Sequence, residues 1–291
     1  MTFSVIIPTY NRALMLKSTL ESVLDQEYDD YEIIVVDDGS TDQTREVTER
    51  FGNSRIRYFH KTNEERSIAR NYGAAKAIGR YLIFLDSDDR MQSDHLRGVE
   101  KFLRLKDFKP RFVFSGYKVL NAQEKIVYSY HPAGSFAPRK LLYGNYLGCS
   151  AVVIERELFL RNHFNTAPLL IIFEDWELWL RIIAKEPLYC TGAGSIIMSN
   201  HEGRSVLNTD AVSLQNKINC FLQLAGHSPF VQRSRAGKKK LAMGLYSYAA
   251  LHTALTPNNR AAALRFLAKA LFSHPALILK KRFYAIIKHL F

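Results

Sequence analysis

The sequence predicts an α/β protein: a mostly parallel β-sheet with helices on both faces, followed by a helical C-terminal extension. Two observations predict it. Across residues 3–85, short apolar segments rich in strand-forming residues alternate with segments of helical periodicity. From residue 208 onward, the apolar residues recur at helical spacing. Strands that alternate with helices of this length form parallel sheets that are covered on both faces.

The elements of the first half follow in order along the chain. Strands are expected at residues 3–8, 32–36, 55–59 and 81–85. Helices are expected at residues 12–26, from a cap at Ser40 or Thr41 to about residue 51, and at residues 67–78. Ligands of such sheets bind beyond the carboxyl ends of the strands. We therefore expect the aromatic, acidic and basic residues that follow these strands to share one rim.

The second half has a less regular pattern. Strands are expected at residues 111–120, 126–130 and 150–154, with a short helix from Glu155. A helix begins near Glu174, because acidic residues in a first turn suit the positive end of the helix dipole. Further helices are expected at residues 208–226, 237–255, 260–272 and 276–290.

An acidic cluster follows the fourth predicted strand. Three carboxylates, those of Asp86, Asp88 and Asp89, lie within four positions. Because side chains alternate along a strand, we expect Asp86 and Asp88 to point the same way. Two carboxylates this close repel each other unless a cation lies between them or one is protonated. Hard oxygen ligands suit Mg²⁺ or Mn²⁺, whereas the alternative is a solvated turn; the cluster alone leaves both open.

Composition excludes several classes of protein. The chain has 291 residues, of which 47% are hydrophobic and 23% charged, as in ordinary globular proteins. Its cysteines (149, 190 and 220) have neither metal-site nor disulfide spacing, and no basic leader precedes the first strand. We therefore expect a cytoplasmic protein with free thiols. Glycine-rich phosphate loops are absent, which argues against a dinucleotide dehydrogenase and a P-loop NTPase.

The positive charge is concentrated at the C-terminal end. Up to Asp210 the chain has 27 basic and 28 acidic residues, whereas the last 81 residues have 13 basic and no acidic ones. Such a block favours an anionic partner. We expect two domains, which are residues 1–207, with halves of about 1–110 and 111–207, and a basic helical extension of residues 208–291.

The last segment has the pattern of a basic amphipathic helix. Its apolar side gathers Leu279, Phe283, Ile286, Ile287, Leu290 and Phe291, and its opposite side mostly Lys281, Arg282 and Lys288. Such a helix suits an anionic membrane surface, and we expect peripheral binding to the inner face of the cell membrane. The alternative is a helix packed against the rest of the protein, and the sequence leaves both open. Nucleic acid is not expected, because few exposed aromatic residues accompany the basic ones.

Five motifs in order and spacing carry a resemblance to a known family. They are Ser4-Val5-Ile6-Ile7-Pro8-Thr9-Tyr10-Asn11-Arg12, Val35-Val36-Asp37-Asp38-Gly39-Ser40-Thr41-Asp42, Ala69-Arg70-Asn71-Tyr72-Gly73, Leu85-Asp86-Ser87-Asp88-Asp89 and Glu174-Asp175-Trp176. Over roughly residues 3–205 the sequence resembles family 2 glycosyltransferases of the GT-A type. The resemblance implies a Rossmann-like GT-A fold and an inverting, non-processive enzyme.

The resemblance assigns the donor site to residues near the strand ends. Tyr10 would stack on the base of a nucleotide-diphosphate sugar, Asp38 would accept a hydrogen bond from its ring N–H, and Pro8 would shape the pocket. Arg70 would approach the base or the phosphates. A stacking ring with an acceptor carboxylate suits uracil best, so a UDP-sugar is the expected donor.

The acidic cluster gains a role from the same resemblance. Asp86 would hold the ribose, and Asp88 would ligate Mn²⁺ or Mg²⁺ at the diphosphate. Such a cation offsets the charge that builds on the leaving group.

The remaining assignments concern the acceptor. Asp175 would be the base that takes the proton of the acceptor hydroxyl, with Glu174 and Trp176 on the acceptor side. His201 and Arg204 would lie near the diphosphate. The expected acceptor is a saccharide or a lipid-linked sugar in cell-surface polysaccharide or glycolipid assembly. The alternatives are a non-catalytic nucleotide-sugar scaffold and a sugar nucleotidyltransferase.

Overall fold

The protein divides into two compact units. The computed structural model describes residues 1–132, 137–192, 195–199, 210–256 and 259–290. Unit 1 comprises the described residues within Met1–Phe136, Leu147–Thr166 and Glu186–His201, and unit 2 those within Ala137–Tyr146, Ala167–Lys185 and Glu202–Phe291. The expected domain boundary after residue 207 falls in the segment 200–209, outside the described residues, and stays a prediction.

Unit 1 contains two sheets. Its strands are β1 (Phe3–Thr9), β2 (Tyr31–Asp37), β3 (Ile56–His60), β4 (Tyr81–Phe84), β5 (Asp89–Met91), β6 (Phe112–Phe114), β7 (Tyr117–Leu120), β8 (Ile126–Tyr130), β9 (Val152–Glu155), β10 (Tyr189–Cys190) and β11 (Ile196–Ser199). The larger sheet has seven strands in the order β10-β6-β9-β4-β1-β2-β3, and the smaller has four in the order β5-β11-β7-β8.

The centre of the larger sheet is parallel. Strand β1 pairs in parallel with β2 on one side and with β4 on the other, and β2 pairs in parallel with β3. Strand β9 runs antiparallel between β4 and β6. Every residue of β1, β2 and β4 is buried, as expected for strands covered on both faces. The predicted mostly parallel α/β sheet is confirmed.

The chain order creates a crevice between two strands. From β1 the chain proceeds outward through β2 to β3, and then returns to the opposite side of β1 with β4. The order therefore reverses between β1 and β4. In open α/β sheets, ligands bind at such a reversal, beyond the carboxyl ends of the strands. Tyr10 follows β1 there, and Asp86 follows β4.

Two helices of unit 1 differ from the sequence-based expectation. The helices are α1 (Ala13–Leu24), α2 (Thr44–Arg50), α3 (Arg66–Lys76), α4 (His95–Arg104) and α5 (Arg156–Leu160). Helix α2 begins at Thr44, because Asp42 accepts the N–H of Thr44 at 3.1 Å, while Ser40 and Thr41 bond to Asn11 instead. Helix α4 was not predicted, although Leu96, Val99 and Leu103 lie buried at helical spacing.

Helix α3 lies unusually close to the sheet. An ideal Cβ built on Gly73 would lie 2.5 Å from Cγ2 of Ile6 in β1 and 3.0 Å from Cγ2 of Val36 in β2. A side chain at this position therefore cannot fit without moving its neighbours. Ala69 and Ala74 of the same helix are fully buried. The small residues of this motif bring the helix, and with it Arg70, against the sheet.

Unit 2 is helical. It contains α6 (Glu174–Ile182), α7 (Ala211–Ala225), α8 (Pro229–Arg233), α9 (Gly237–Leu255), α10 (Arg260–Ser273) and α11 (Lys281–Leu290). Residues 276–290 are not one helix as expected: Pro275–Leu279 forms a 3-10 turn, and Lys280 has extended backbone before α11. In the part of the chain that the structure describes, no helix is both long and apolar enough to cross a membrane.

Burial of a histidine predicts how the stability of the protein depends on pH. His95 is fully buried, and among the described residues neither of its ring nitrogens has a hydrogen-bond partner. Burial lowers its pKa from 6.5 to about 4. Between these values the unfolded chain binds a proton that the folded protein does not, so stability falls as the pH drops through this window. The loss from this group reaches about 3 kcal/mol.

We expect His95→Leu to remove this part of the acid sensitivity. Urea unfolding at about pH 7 and about pH 4.5 should give a smaller difference in the free energy of unfolding than in the wild type. His227→Leu, at an exposed histidine, is the matched control. An unchanged pH dependence in His95→Leu would contradict the assignment.

Candidate active site

Asn11 joins the loops that follow β1 and β2. Its N–H donates to Oγ of Ser40 at 2.9 Å, and its Oδ1 accepts the N–H of Thr41 at 2.8 Å. Its φ of +50° lies in the left-handed region, which asparagine tolerates better than most residues. The preceding residue, Tyr10, is 47% exposed. Tyr10 is therefore not a core aromatic, and its ring is accessible at the rim.

The two acidic residues after β2 differ in their surroundings. Asp37 is buried, accepts the hydroxyl of Tyr58 and the N–H of Ser40, and so shapes the turn. Burial and the Asp37 carboxylate raise the pKa of Tyr58, so this phenol remains a donor. Asp37 therefore has a structural part in this turn.

Asp38 is buried with one oxygen already occupied. Its Oδ1 accepts Nζ of Lys61 at 2.6 Å and the N–H of Glu64 at 3.1 Å. Burial lowers the pKa of Lys61, but the carboxylates of Asp38 and Glu64 outweigh it, so the pKa is raised and the ammonium stays charged. Among the described residues, Oδ2 of Asp38 accepts no hydrogen bond. This oxygen can accept an N–H from a ligand.

Arg70 and Asp86 form an ion pair in which the arginine is buried and the carboxylate is partly exposed. The guanidinium of Arg70 is 2% exposed, lies 2.6 Å from Oδ1 of Asp86 and covers the ring of Phe164 at 5.2 Å. Arg70 is therefore a buried residue and not a charge on the surface of α3. Burial raises the pKa of Asp86, but the nearby guanidinium groups, with that of Arg70 foremost, outweigh it and lower the pKa. Asp86 is thus an ionised carboxylate.

Asp88 has a different guanidinium partner. Its Oδ2 accepts Nη1 of Arg12 at 2.7 Å, and its side chain is 12% exposed. The expected common direction of Asp86 and Asp88 rested on strand alternation. That premise is wrong, because β4 ends at Phe84 and the residues at 87–88 form a turn. Asp86 pairs with Arg70 and Asp88 with Arg12, and the charges of Arg66 and Arg12 also act on Asp86.

The segment 86–89, which we call the acidic turn, is held in place by two buried hydroxyl groups. The hydroxyl of Thr19 lies 3.0 Å from the carbonyl oxygen of Ser87 and 2.9 Å from that of Asp89. Ser150 donates to Oδ2 of Asp89 at 2.6 Å, and its oxygen accepts the N–H of Asp86 at 3.2 Å. Sequence reasoning missed both residues. Thr19 could have been found as a polar residue on the apolar face of the predicted helix.

The acidic turn fits a divalent cation by the chemistry of its donors. Within the described ranges, no group of three or more His, Cys, Asp or Glu side chains could enclose a metal ion. Mg²⁺ commonly binds one or two carboxylates and completes its shell with water and substrate phosphates. Asp86 and Asp88 supply carboxylates of this kind.

Asp175 begins a helix in unit 2 and is held by an amide. Its Oδ2 accepts Nδ2 of Asn145 at 2.8 Å, and its Oδ1 accepts the N–H of Trp176 at 2.7 Å. Ile172, shortly before it, has a φ of +82°, which is strained for a β-branched residue. Asn145 was not identified from the sequence. The carboxylate of Asp175 therefore has a fixed orientation within unit 2.

Of the other residues assigned to the site, three are buried and two lie outside the described residues. Glu174 and Trp176 are buried, and Nε1 of Trp176 donates to the carbonyl oxygen of Leu141 at 2.8 Å. Pro8 lies buried in β1 opposite Val36. His201 and Arg204 lie outside the described residues, so their roles stay predictions.

Comparison with known proteins decides the family. The profile of glycosyl transferase family 2 matches residues 4–148. The glucosyltransferase WfgD of Escherichia coli, a UDP-Glc:alpha-D-GlcNAc-diphosphoundecaprenol beta-1,3-glucosyltransferase, is 31% identical over 216 residues, which are 71% of this chain and 79% of WfgD. The chain belongs to glycosyltransferase family 2.

The chain matches some longer relatives over only part of their length. An uncharacterised glycosyltransferase of Rickettsia felis is 43% identical over 129 residues, which are 44% of this chain. This stretch is 21% of the length of the Rickettsia protein. The similarity therefore concerns one portion of a larger chain.

Solved structures share the fold of this family 2 chain. TarS of S. aureus, with UDP-GlcNAc, has a TM-score of 0.62 at 17% identity, and the match covers 96% of this chain and 92% of TarS. The mannosyltransferase PcManGT of Pyrobaculum calidifontis, with GDP-Man and Mn²⁺, has a TM-score of 0.59 at 16% identity, with coverage of 98% and 77%. The predicted GT-A fold is confirmed.

We expect Thr19→Val to loosen the acidic turn. Valine has nearly the same shape as threonine but cannot donate to the carbonyl oxygens of Ser87 and Asp89, so the free energy of unfolding should fall by about 1–3 kcal/mol. Thr48→Val is the matched control, because the hydroxyl of the buried Thr48 bonds only within α2. If urea unfolding shows the same loss in the free energy of unfolding for both variants, Thr19 has no special part in the turn.

Proposed function

We propose that the protein is a metal-dependent, inverting glycosyltransferase that moves a sugar from a nucleotide-diphosphate donor to a hydroxyl acceptor. The rim of unit 1 carries this proposal. There, the exposed ring of Tyr10, the open oxygen of Asp38 and the carboxylates of Asp86 and Asp88 follow β1, β2 and β4. A UDP-sugar is the proposed donor, which the name of WfgD supports.

In this proposal the chain binds the donor through four side chains. Tyr10 stacks on uracil, and Oδ2 of Asp38 accepts its ring N–H, while Lys61 keeps the other oxygen in place. Asp86, held by Arg70, accepts a ribose hydroxyl. Asp88 ligates Mn²⁺ or Mg²⁺, and the structure of PcManGT in complex with GDP-Man and Mn²⁺ supports a divalent cation. When bound, such an ion neutralises the charge of the leaving diphosphate.

Asp175 is the proposed base. The bond from the sugar's anomeric carbon to the diphosphate oxygen breaks, a bond to the acceptor oxygen forms on the opposite face, and Asp175 takes the acceptor's proton. The hydrogen bond from Asn145 holds the carboxylate in one orientation for this transfer. Glu174 is the proposed neighbour on the acceptor side, and Trp176 supports it from the core.

We propose a saccharide or a lipid-linked sugar as the acceptor, in cell-surface polysaccharide or glycolipid assembly. The diphosphoundecaprenol in the name of WfgD supports a lipid-linked acceptor. The proposed location is cytoplasmic, with peripheral binding of the basic C-terminal helices to the anionic inner face of the membrane. The absence of Asp and Glu from the sequence after Asp210 supports this attraction.

Two substitutions separate donor binding from chemistry. We expect Asp88→Asn to weaken Mn²⁺-dependent binding of UDP, measured by calorimetry.

Asp175→Asn should leave that binding intact but slow the hydrolysis of a UDP-sugar by about 10²–10⁴-fold, since it removes a general base. Donor hydrolysis at the wild-type rate in Asp175→Asn would contradict the role of Asp175. UDP binding without any turnover on a panel of nucleotide sugars would favour the scaffold function.

The ion pair of Asp88 predicts competition with the metal. The guanidinium of Arg12 donates a hydrogen bond to Oδ2 of Asp88 at 2.7 Å, so it competes with a divalent ion for this carboxylate. We expect Arg12→Ala to tighten Mn²⁺ binding about tenfold, because one charge-assisted hydrogen bond no longer opposes it. Electron paramagnetic resonance of free Mn²⁺, without any nucleotide, measures this. Lys17→Ala, which removes a cation from α1, the helix that follows Arg12, should leave the affinity unchanged, and weaker binding in Arg12→Ala would refute the competition.

A further inference from the structure

The α10–α11 connection, taken here with the last turn of α10 and the first turn of α11 (residues 272–284), exposes several apolar side chains. Phe272 is 94% exposed and Leu279 is 78% exposed, and Ile278 and Tyr284 are also accessible. Single exposed apolar residues are ordinary on protein surfaces. Four of them lie within thirteen consecutive residues, 272–284, and this density favours an interaction segment. We call these four residues the exposed apolar group.

The backbone of this connection is ordered by its own bonds. The N–H of Leu277 donates to the carbonyl oxygen of His274 at 3.2 Å, and the N–H of Lys280 donates to that of Leu277 at 2.9 Å. The side chain of Leu277 is buried and anchors the turn. Because Leu277 points inward, the next two side chains in the tight turn, Ile278 and Leu279, are left in solvent.

Two residues of the predicted apolar side, both in α11, are buried in unit 2. Ile286 is fully buried and Leu290 is 4% exposed. Arg282, expected on the polar side, lies inward, with Nη1 3.3 Å from the carbonyl oxygens of Tyr143 and Gly244. The expectation that the apolar side of this helix faces a membrane is therefore wrong for these residues. The side chains left for a partner are those of the exposed apolar group.

The charged residues of α11 are all basic. Lys281 and Lys288 are exposed on α11, and no acidic residue follows Asp210 in the sequence. Lys281 stands in the first turn of α11, where the helix dipole disfavours a cation. Its position therefore costs stability in water, and an anionic partner would offset this cost. Apolar side chains bordered by lysines match the interface of an anionic bilayer.

We propose that the α10–α11 connection is the membrane-inserting element of the protein. Phe272 and Leu279 enter the acyl boundary of an anionic bilayer, and Lys281 and Lys288 contact its headgroups. The inference rests on the membrane binding in the proposed function and assigns it to a different surface from the apolar side of α11. It is independent of the glycosyl transfer chemistry.

Vesicle flotation with the whole protein tests the proposal. Vesicles of phosphatidylcholine alone are compared with vesicles of equal parts phosphatidylcholine and phosphatidylglycerol. We expect binding to the mixed vesicles, weakened about tenfold by each of Phe272→Ser and Leu279→Ser. Lys281→Gln with Lys288→Gln should weaken it through charge, by about fivefold for each lysine. Leu105→Ser, at a 78% exposed leucine of unit 1, is the matched control.

The outcomes distinguish a failure of membrane binding as a whole from a failure of the proposed insertion alone. If the wild type floats with neither vesicle, membrane binding fails altogether, and the insertion fails with it. If the wild type floats and both serine variants float equally well, the insertion alone is overturned. If the serine variants instead convert a dimer into a monomer in sedimentation, with flotation unchanged, the exposed apolar group is a self-association surface and the insertion is overturned.

A fluorescent variant supplies a positive signal that does not depend on loss of binding. On mixed vesicles, the fluorescence emission of the tryptophan introduced by Phe272→Trp should shift to shorter wavelength. Brominated lipid should quench this emission. Trp176 and Trp179, the native tryptophans, are buried and provide a constant background. Vesicle-bound protein in which brominated lipid leaves the emission of the introduced tryptophan unchanged would overturn the insertion.

Discussion

The guanidinium of Arg70 places the strongest constraint on unit 1. A charge that is 2% exposed needs a compensating anion, and Asp86 supplies it. Arg70 reaches that carboxylate because Gly73, one turn later in α3, lets the helix rest on β1 and β2. Helix packing and the charge state of Asp86 therefore depend on each other. The neighbouring Asn71 adds to this, since it exchanges two hydrogen bonds with the backbone of Phe164.

The sequence predicted the sheet and the rim well, and the geometry of the acidic turn poorly. Parallel strands are revealed by periodicity, and their ends identify the rim whatever the exact boundaries are. The pairing of Asp88 with Arg12 joins positions 76 residues apart, and no local pattern encodes it. Thr19 and Ser150 were missed for the same reason, because their hydroxyls act on a turn distant in sequence.

The C-terminal helices show a different limit of sequence analysis. A helical wheel identifies an apolar side but not what covers it. Here Ile286 and Leu290 pack inside unit 2, and the 3-10 turn at Pro275–Leu279 interrupts the helix that the wheel assumed. Arg282 shows why charge alone does not fix orientation, since backbone carbonyl oxygens satisfy its guanidinium away from solvent. Tertiary packing therefore decides which side of α11 faces the solvent.

The smaller sheet has a consequence for synthesis of the protein on the ribosome. Strand β5, immediately after the acidic turn, pairs with β11, which begins more than one hundred residues later. The parallel core from β1 to β4 can assemble early from the nascent chain, because its pairings are comparatively local. The turn that bears Asp88 gains its β-strand neighbour only after residue 199 has emerged from the exit tunnel. Translation thus delivers the scaffold first and the finished rim last.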